Sequence, residues 1–89
     1  MTRWNAMITI TDFVREEEPE ESGNNIANEI ERKALELAKL VAHEGNIDVI
    51  KEDLFNFVAE FREIDSAADL ADTVHSFKSY CDTYGIFVG

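Results

Sequence analysis

The stretch IDVIKEDLFNFVAEFREI, which spans residues 47–64, decides the fold because its apolar residues recur at steps of three and four. On a helix of about 3.6 residues per turn, this spacing gathers them into one stripe and turns Glu52, Asn56, Glu60 and Glu63 away from it. The stripe consists of Ile47, Ile50, Leu54, Phe57, Val58, Phe61 and Ile64. It is the largest apolar surface in the sequence, so we predict a central helix against which the other elements pack.

A second helix is predicted over residues 25–44, directly before the central one. Its apolar stripe consists of Ile26, Ile30, Ala34, Leu37 and Val41, with Ala27 and Ala38 allowing a neighbour to approach closely. Glu29 and Lys33 lie four residues apart on the charged face, a spacing that supports a helix. The link at residues 45–46 is so short that the two helices must be neighbours and roughly antiparallel.

A third helix is predicted over residues 67–84. Its stripe consists of Leu70, Val74, Phe77, Cys81 and Tyr84. Ser66 and Asp69 have the spacing of a capping box at the start of the helix. Gly85 suits the left-handed position that ends a helix.

Both ends of the chain carry apolar residues that predict strands. Residues 4–11 alternate, with Trp4, Ala6, Ile8 and Ile10 on one face, although part of this segment also fits a helix. The apolar end at residues 86–89 either pairs with that strand or is tucked among the helices. The expected fold is therefore one α+β domain over residues 1–89, mostly helical: a three-helix bundle with a short N-terminal strand that can pair with the C-terminal segment. Because a two-stranded sheet is marginal by itself, the helices or a second copy must support it.

The run EEEPEESG, residues 16–23, contains five glutamates. Like charges repel one another, and the run contains no large apolar side chain. We therefore predict a solvated, mobile loop that contributes nothing to the core.

The net charge of −11 is the strongest global feature of the sequence. Such a chain is repelled by nucleic acid and by anionic membranes, so direct binding to either is not expected. A lone cysteine, Cys81, excludes an internal disulfide and favours a reducing compartment. The N-terminus has no apolar core typical of a secretory signal. These features predict a soluble cytoplasmic protein.

The sequence contains no pattern that predicts catalysis, a metal or a cofactor. Glu52, Glu60 and Glu63 are expected to form an ordinary solvated helix face rather than an acid–base site. Neither His43 nor His75 has a second ligand three or four residues after it, so a closed zinc site is not expected. Cys81 belongs to an apolar stripe, which favours a buried thiol over a nucleophile. We therefore expect a protein that is not an enzyme and has no cofactor.

Two aromatic residues stay ambiguous in the sequence. Phe55 lies well off the centre of the central stripe, near Lys51 and Arg62. We favour a place in the core against the N-terminal strand, with an exposed interface anchor as the alternative. Tyr80, at the edge of the third stripe, has the same two interpretations.

For function, we predict an acidic interaction protein that covers a basic, normally nucleic-acid-binding surface of another protein. In its general profile the chain resembles the DNA-mimicking inhibitors of phages and mobile elements, which are short, acidic and without a catalytic motif. The predicted partner-binding residues are Glu16, Glu17, Glu18, Glu20, Glu21, Glu52, Asp53, Phe55, Glu60 and Glu63. The alternatives are an assembly subunit or an antitoxin-like partner that binds through apolar contacts, and a homodimer is possible.

Overall fold

The computed structural model describes residues 6–10, 18–41 and 46–89. In chain order these residues form β1 (Ala6–Ile8), α1 (Pro19–Val41), α2 (Ile47–Arg62), α3 (Ala67–Tyr84) and β2 (Ile86–Val88). The predicted fold class is confirmed: the chain is a mostly helical α+β protein with three packed helices and a short terminal sheet. Trp4, Glu16, Glu17, His43 and Gly45 lie outside the described residues.

The first helix begins at Pro19, six residues before the predicted start, so the prediction of a loop at residues 16–23 is wrong over its described part. Proline suits the first position of a helix, because the amide hydrogen that it lacks would have no helical partner there. Glu20 and Glu21 occupy the first turn, where carboxylates are stabilised by the positive end of the helix dipole. Ser22 and Gly23 are buried, which contradicts the expectation that this segment stays out of the core.

Small residues on α1 bring it close to α2. Ala27, Ala34 and Ala38 are completely buried and form part of the core cluster that also contains Leu54 and Phe61 of α2. The two helices make the most extensive contact between elements in the described chain. At one end, a side chain added to Gly23 would collide with the backbone oxygen of Phe61 and with Ile64. The start of α1 therefore lies against the end of α2, and the helices are antiparallel.

The stripe of α2 faces the core as predicted. Ile50, Leu54, Val58, Phe61 and Ile64 are buried, while Ile47 and Phe57 are half-buried at its edge. The helix itself ends at Arg62 rather than Ile64. Nevertheless, Ile64 still enters the core from the link that follows the helix.

The third helix is fixed at both ends by local signals. The hydroxyl of Ser66 accepts a hydrogen bond from the backbone N–H of Asp69 at 3.1 Å, and Gly85 takes the left-handed conformation with φ of 77°. Phe77 packs edge-on against Phe57 and Phe61 of α2, with ring centroids 5.2 and 5.8 Å apart. These aromatic contacts join α3 to α2.

The two strands pair in parallel, with Ala6 opposite Ile86 and Ile8 opposite Val88. Two hydrogen bonds extend the pairing, from the N–H of Ile10 to the oxygen of Gly89 at 2.8 Å and from the N–H of Gly89 to the oxygen of Ile8 at 2.9 Å. Ile8, Ile10 and Ile86 are buried against the helices. The predicted pairing of the N-terminal strand with the C-terminal segment is therefore confirmed, and the helices support the sheet.

Candidate functional site

Exposed carboxylates in or next to the ends of the three helices lie at one end of the bundle, which we call the acidic end. The set consists of Glu18, Glu20 and Glu21 at the start of α1, Glu63 and Asp65 after α2, and Asp69 in the first turn of α3. Each of these residues is exposed to solvent. The acidic end is thus assembled from three separate parts of the chain.

Backbone packing explains why these acids come together. Gly23 lets the first turns of α1 approach the last turn of α2, because any larger side chain would collide with the Phe61 carbonyl. A link of four residues, 63–66, then brings the start of α3 to the same end. Glu18, Glu20 and Glu21 therefore lie at the same end of the molecule as Glu63 and Asp65.

Arg62, the basic residue that directly precedes Glu63 in the chain, has partners on α1. Its guanidinium donates a hydrogen bond to Oδ1 of Asn28 at 2.9 Å and lies 3.6 Å from the carboxylate of Glu31. Both partners are further along α1, away from its acidic first turn. The positive charge of Arg62 is thus directed at Glu31 rather than at the acids of the acidic end.

The outer side of α2 continues the negative surface. Glu52, Asn56 and Glu60 are exposed, as the periodicity predicts. Because a helix rises about 1.5 Å per residue, Glu52 and Glu60 lie about 12 Å apart along the axis. Together with Glu63 they form an acidic strip that leads to the acidic end.

Asp53 differs from its acidic neighbours because it packs against α3. It is half-buried, and its Oδ2 accepts a hydrogen bond from the hydroxyl of Tyr80 at 2.9 Å. Burial and the adjacent Asp53 carboxylate raise the pKa of Tyr80 above its ordinary value of 10.0. Tyr80 also packs on Phe57 and Tyr84, with ring centroids 5.6 and 4.8 Å away. Both residues therefore join α2 to α3, and we leave Asp53 out of the candidate interaction surface.

Phe55 is 41% exposed, so the favoured prediction of a core position is wrong. Phe55 lies seven residues before Arg62, so helical periodicity places both side chains on the same side of α2, next to the buried residues that contact α1. Leu35 of α1 is 49% exposed and was missed by sequence reasoning. The available signal was its position off the stripe from Ile26 to Val41.

The described residues show no arrangement typical of a metal site. No group of three or more His, Cys, Asp or Glu side chains within them could hold a metal ion. His75 is exposed on α3, whereas Cys81 is buried and its thiol pKa is raised by desolvation from 9.0 to about 12. A thiol with so high a pKa is a poor nucleophile near neutral pH.

Neither a search for membrane-spanning helices nor a search for similar proteins assigns a function to this chain. Of the described helices, none combines the length and the apolar character needed to cross a membrane. Two of the predicted partner-binding residues, Glu16 and Glu17, lie outside the described residues. Neither family models nor curated proteins nor solved structures yielded a match to this chain.

Proposed function

We propose that this protein is a non-enzymatic, cytoplasmic interaction protein that binds a basic surface of a partner protein through the acidic end and the acidic strip of α2. The observation that carries the proposal is the packing of Gly23 against Phe61 and Ile64, which brings exposed carboxylates at the ends of the three helices to one end of the bundle. The partner surface would be one that normally binds nucleic acid. In this role the chain would act like the DNA-mimicking inhibitors that phages and mobile elements produce.

Spacing and charge support this type of partner. Carboxylates one helical turn apart are separated by about 5–6 Å along the axis, which is of the same order as the distance between phosphates in a nucleic-acid strand. The net charge of −11 would also attract a cationic groove over several ångströms and speed association. Charges that are carried on or beside folded helices are presented without the cost of ordering a flexible segment.

The test compares two variants that remove the same number of charges. One variant, Glu21→Gln with Glu63→Gln, neutralises the acidic end, and the control, Glu36→Gln with Asp48→Asn, neutralises exposed acids away from it. The wild type and both variants are immobilised, exposed to a cell extract and eluted with stepped salt. The dissociation constant of the captured partner is then measured with each purified protein.

The acidic-end variant should bind about fivefold more weakly, because each exposed charge contributes up to about 1 kcal/mol. The control variant should bind almost as well as the wild type. Raised salt should weaken the wild-type complex, and added DNA or RNA should displace the protein from its partner. Equal loss in both variants, or an affinity that ignores salt, would refute the proposed function.

A further inference from the structure

The pair formed by α1 and α2 is covered on one side only within the described chain. On the covered side α3 contacts α2 through Tyr80 and Phe77, and the sheet buries Ile8 and Ile86 in the same core. Helical periodicity places Leu35 and Phe55 on the opposite side, which we call the outer face of the helix pair. Both side chains are more than two-fifths exposed there, at 49% and 41%.

The contacts of Arg62 fix how residues on this face are aligned. Arg62 of α2 reaches Asn28 and Glu31 of α1, so these positions lie at one level along the antiparallel helices. Phe55 precedes Arg62 by seven residues, which moves it about 10 Å along the axis. Leu35 follows Asn28 by seven residues in the opposite chain direction. Leu35 and Phe55 therefore lie at about the same level, side by side on the outer face.

The same alignment sets a cation beside an anion. Lys39 lies one turn beyond Leu35 on α1, and Glu52 lies about one turn before Phe55 on α2. Both residues are exposed, and both lie at the next level along the outer face. At these levels α1 contributes an apolar residue and a cation, while α2 contributes an apolar residue and an anion.

We propose that the outer face is the site at which a second copy of this chain binds to form a homodimer. A two-fold axis parallel to the helices would place α1 of one copy over α2 of the other. Leu35 would then contact Phe55 of the second copy, and Lys39 would face Glu52 of the second copy. The two-fold axis repeats both contacts, so the same surface patch on each copy forms both sides of the interface.

Charge and size favour a second copy at this face over other parts of the molecule. Two chains of net charge −11 repel each other most strongly where carboxylates converge, and here the opposed groups have opposite sign. The molecule measures 39 × 25 × 19 Å, so a face along its longest dimension has room for the roughly 800 Å² that each partner buries in a standard interface. With two apolar residues per copy at the centre, the expected dimer is weak, with a dissociation constant in the micromolar range or above.

The experiment measures the monomer–dimer constant of the purified full chain by sedimentation equilibrium. Phe55→Ala should raise the dissociation constant about tenfold, because it removes the aromatic centre of the interface. Val49→Ala is the matched control, since Val49 is 56% exposed on another side of the same helix and should leave the constant unchanged. Circular dichroism confirms that each variant retains its helices.

A charge exchange tests the geometry of the dimer. Lys39→Glu alone and Glu52→Lys alone should each weaken dimerisation, whereas the double variant should restore it to within about threefold of the wild type. Three results would overturn the proposal: a chain that stays monomeric at about 1 mM, a double variant that does not restore dimerisation, or an effect of Val49→Ala equal to that of Phe55→Ala. The first result is also the one expected if a different protein binds this face.

Discussion

Ser22 and Gly23 are neighbours in α1 with opposite relations to their surroundings. Both are buried, yet the Ser22 hydroxyl has no hydrogen-bond partner among the described residues. Gly23, by contrast, packs so closely against Phe61 and Ile64 that no room remains for a side chain. A buried hydroxyl without a partner costs about 1–3 kcal/mol. A methyl group at Gly23 would instead meet backbone, which cannot turn aside as a flexible side chain can.

We therefore expect alanine to act oppositely at the two positions. Ser22→Ala should leave the free energy of unfolding unchanged or raise it by about 1 kcal/mol, since it removes an unsatisfied polar group. Gly23→Ala should lower it by about 1–3 kcal/mol despite the better helix propensity of alanine, because α1 must move away from α2. Urea unfolding of both variants checks this. A stabilising Gly23→Ala would mean that α1 does not pack against Phe61.

Tyr80 predicts how stability changes at alkaline pH. Its folded-state pKa is raised by burial and by the Asp53 carboxylate, while a tyrosine in the unfolded chain ionises near 10.0. Stability from this group is complete below pH 10 and declines above it, because only the unfolded state then readily loses the proton. Urea unfolding between about pH 9 and pH 11 should show a smaller decline for Tyr80→Phe than for the wild type. Parallel curves for the two proteins would contradict this assignment.

At the scale of elements, the two stripe phenylalanines of α2 have different surroundings. Phe61 is completely buried between α1 and α3, whereas Phe57 lies at the edge beside Tyr80. The periodicity alone cannot distinguish them, because both fall within the same stripe. The burial observed in the folded chain predicts different costs of truncation.

Phe61→Ala should lower the free energy of unfolding by about 3–5 kcal/mol, since it leaves a cavity in a small core. Phe57→Ala should cost clearly less, because solvent can reach the space that the ring vacates. Thermal and urea unfolding of the two variants test the ranking. Equal losses would indicate that Phe57 is as deeply packed as Phe61.

The elements that the sequence predicted well have signals inside their own residues. Ser66 and Gly85 mark the ends of α3, and the apolar stripe of α2 sets its buried face. The sequence does not predict the start of α1 because five glutamates favour a loop through mutual repulsion, although Pro19 followed by Glu20 and Glu21 is also a helix-start pattern. Phe55 was misplaced because a single helix does not reveal which of its sides a neighbour covers.

At the scale of the whole molecule, the acids of the candidate site were recognisable individually, but not their convergence. Glu18 and Glu63 are far apart in sequence and share one end only because Gly23 lies against the Phe61 carbonyl. The pairing of Asp53 with Tyr80 also depends on tertiary packing. Sequence reasoning therefore identified the exposed glutamates of α2 and grouped Asp53 with them, although Asp53 is half-buried and bonded to Tyr80 in the folded chain.

The concentration of charge predicts a salt effect on stability. At low ionic strength the acids of a chain with net charge −11 repel one another in the compact state. Raising sodium chloride from about 0.01 M to 0.15 M shortens the screening length from about 30 to 8 Å. The melting temperature should therefore rise with salt, and it should rise less in Glu21→Gln with Glu63→Gln than in the wild type. A melting temperature independent of salt would show that this repulsion is negligible.

The parallel pairing of β1 with β2 also determines how the chain resists a pulling force. Tension applied before Ala6 and beyond Val88 in opposite directions would slide the two strands past each other, because they run the same way. The hydrogen bonds of the pair, including those between Ile8, Ile10 and Gly89, would then carry the load together instead of opening one at a time. The three helices, which lie between the strands in the chain, would be shielded from tension until this mechanical clamp ruptures.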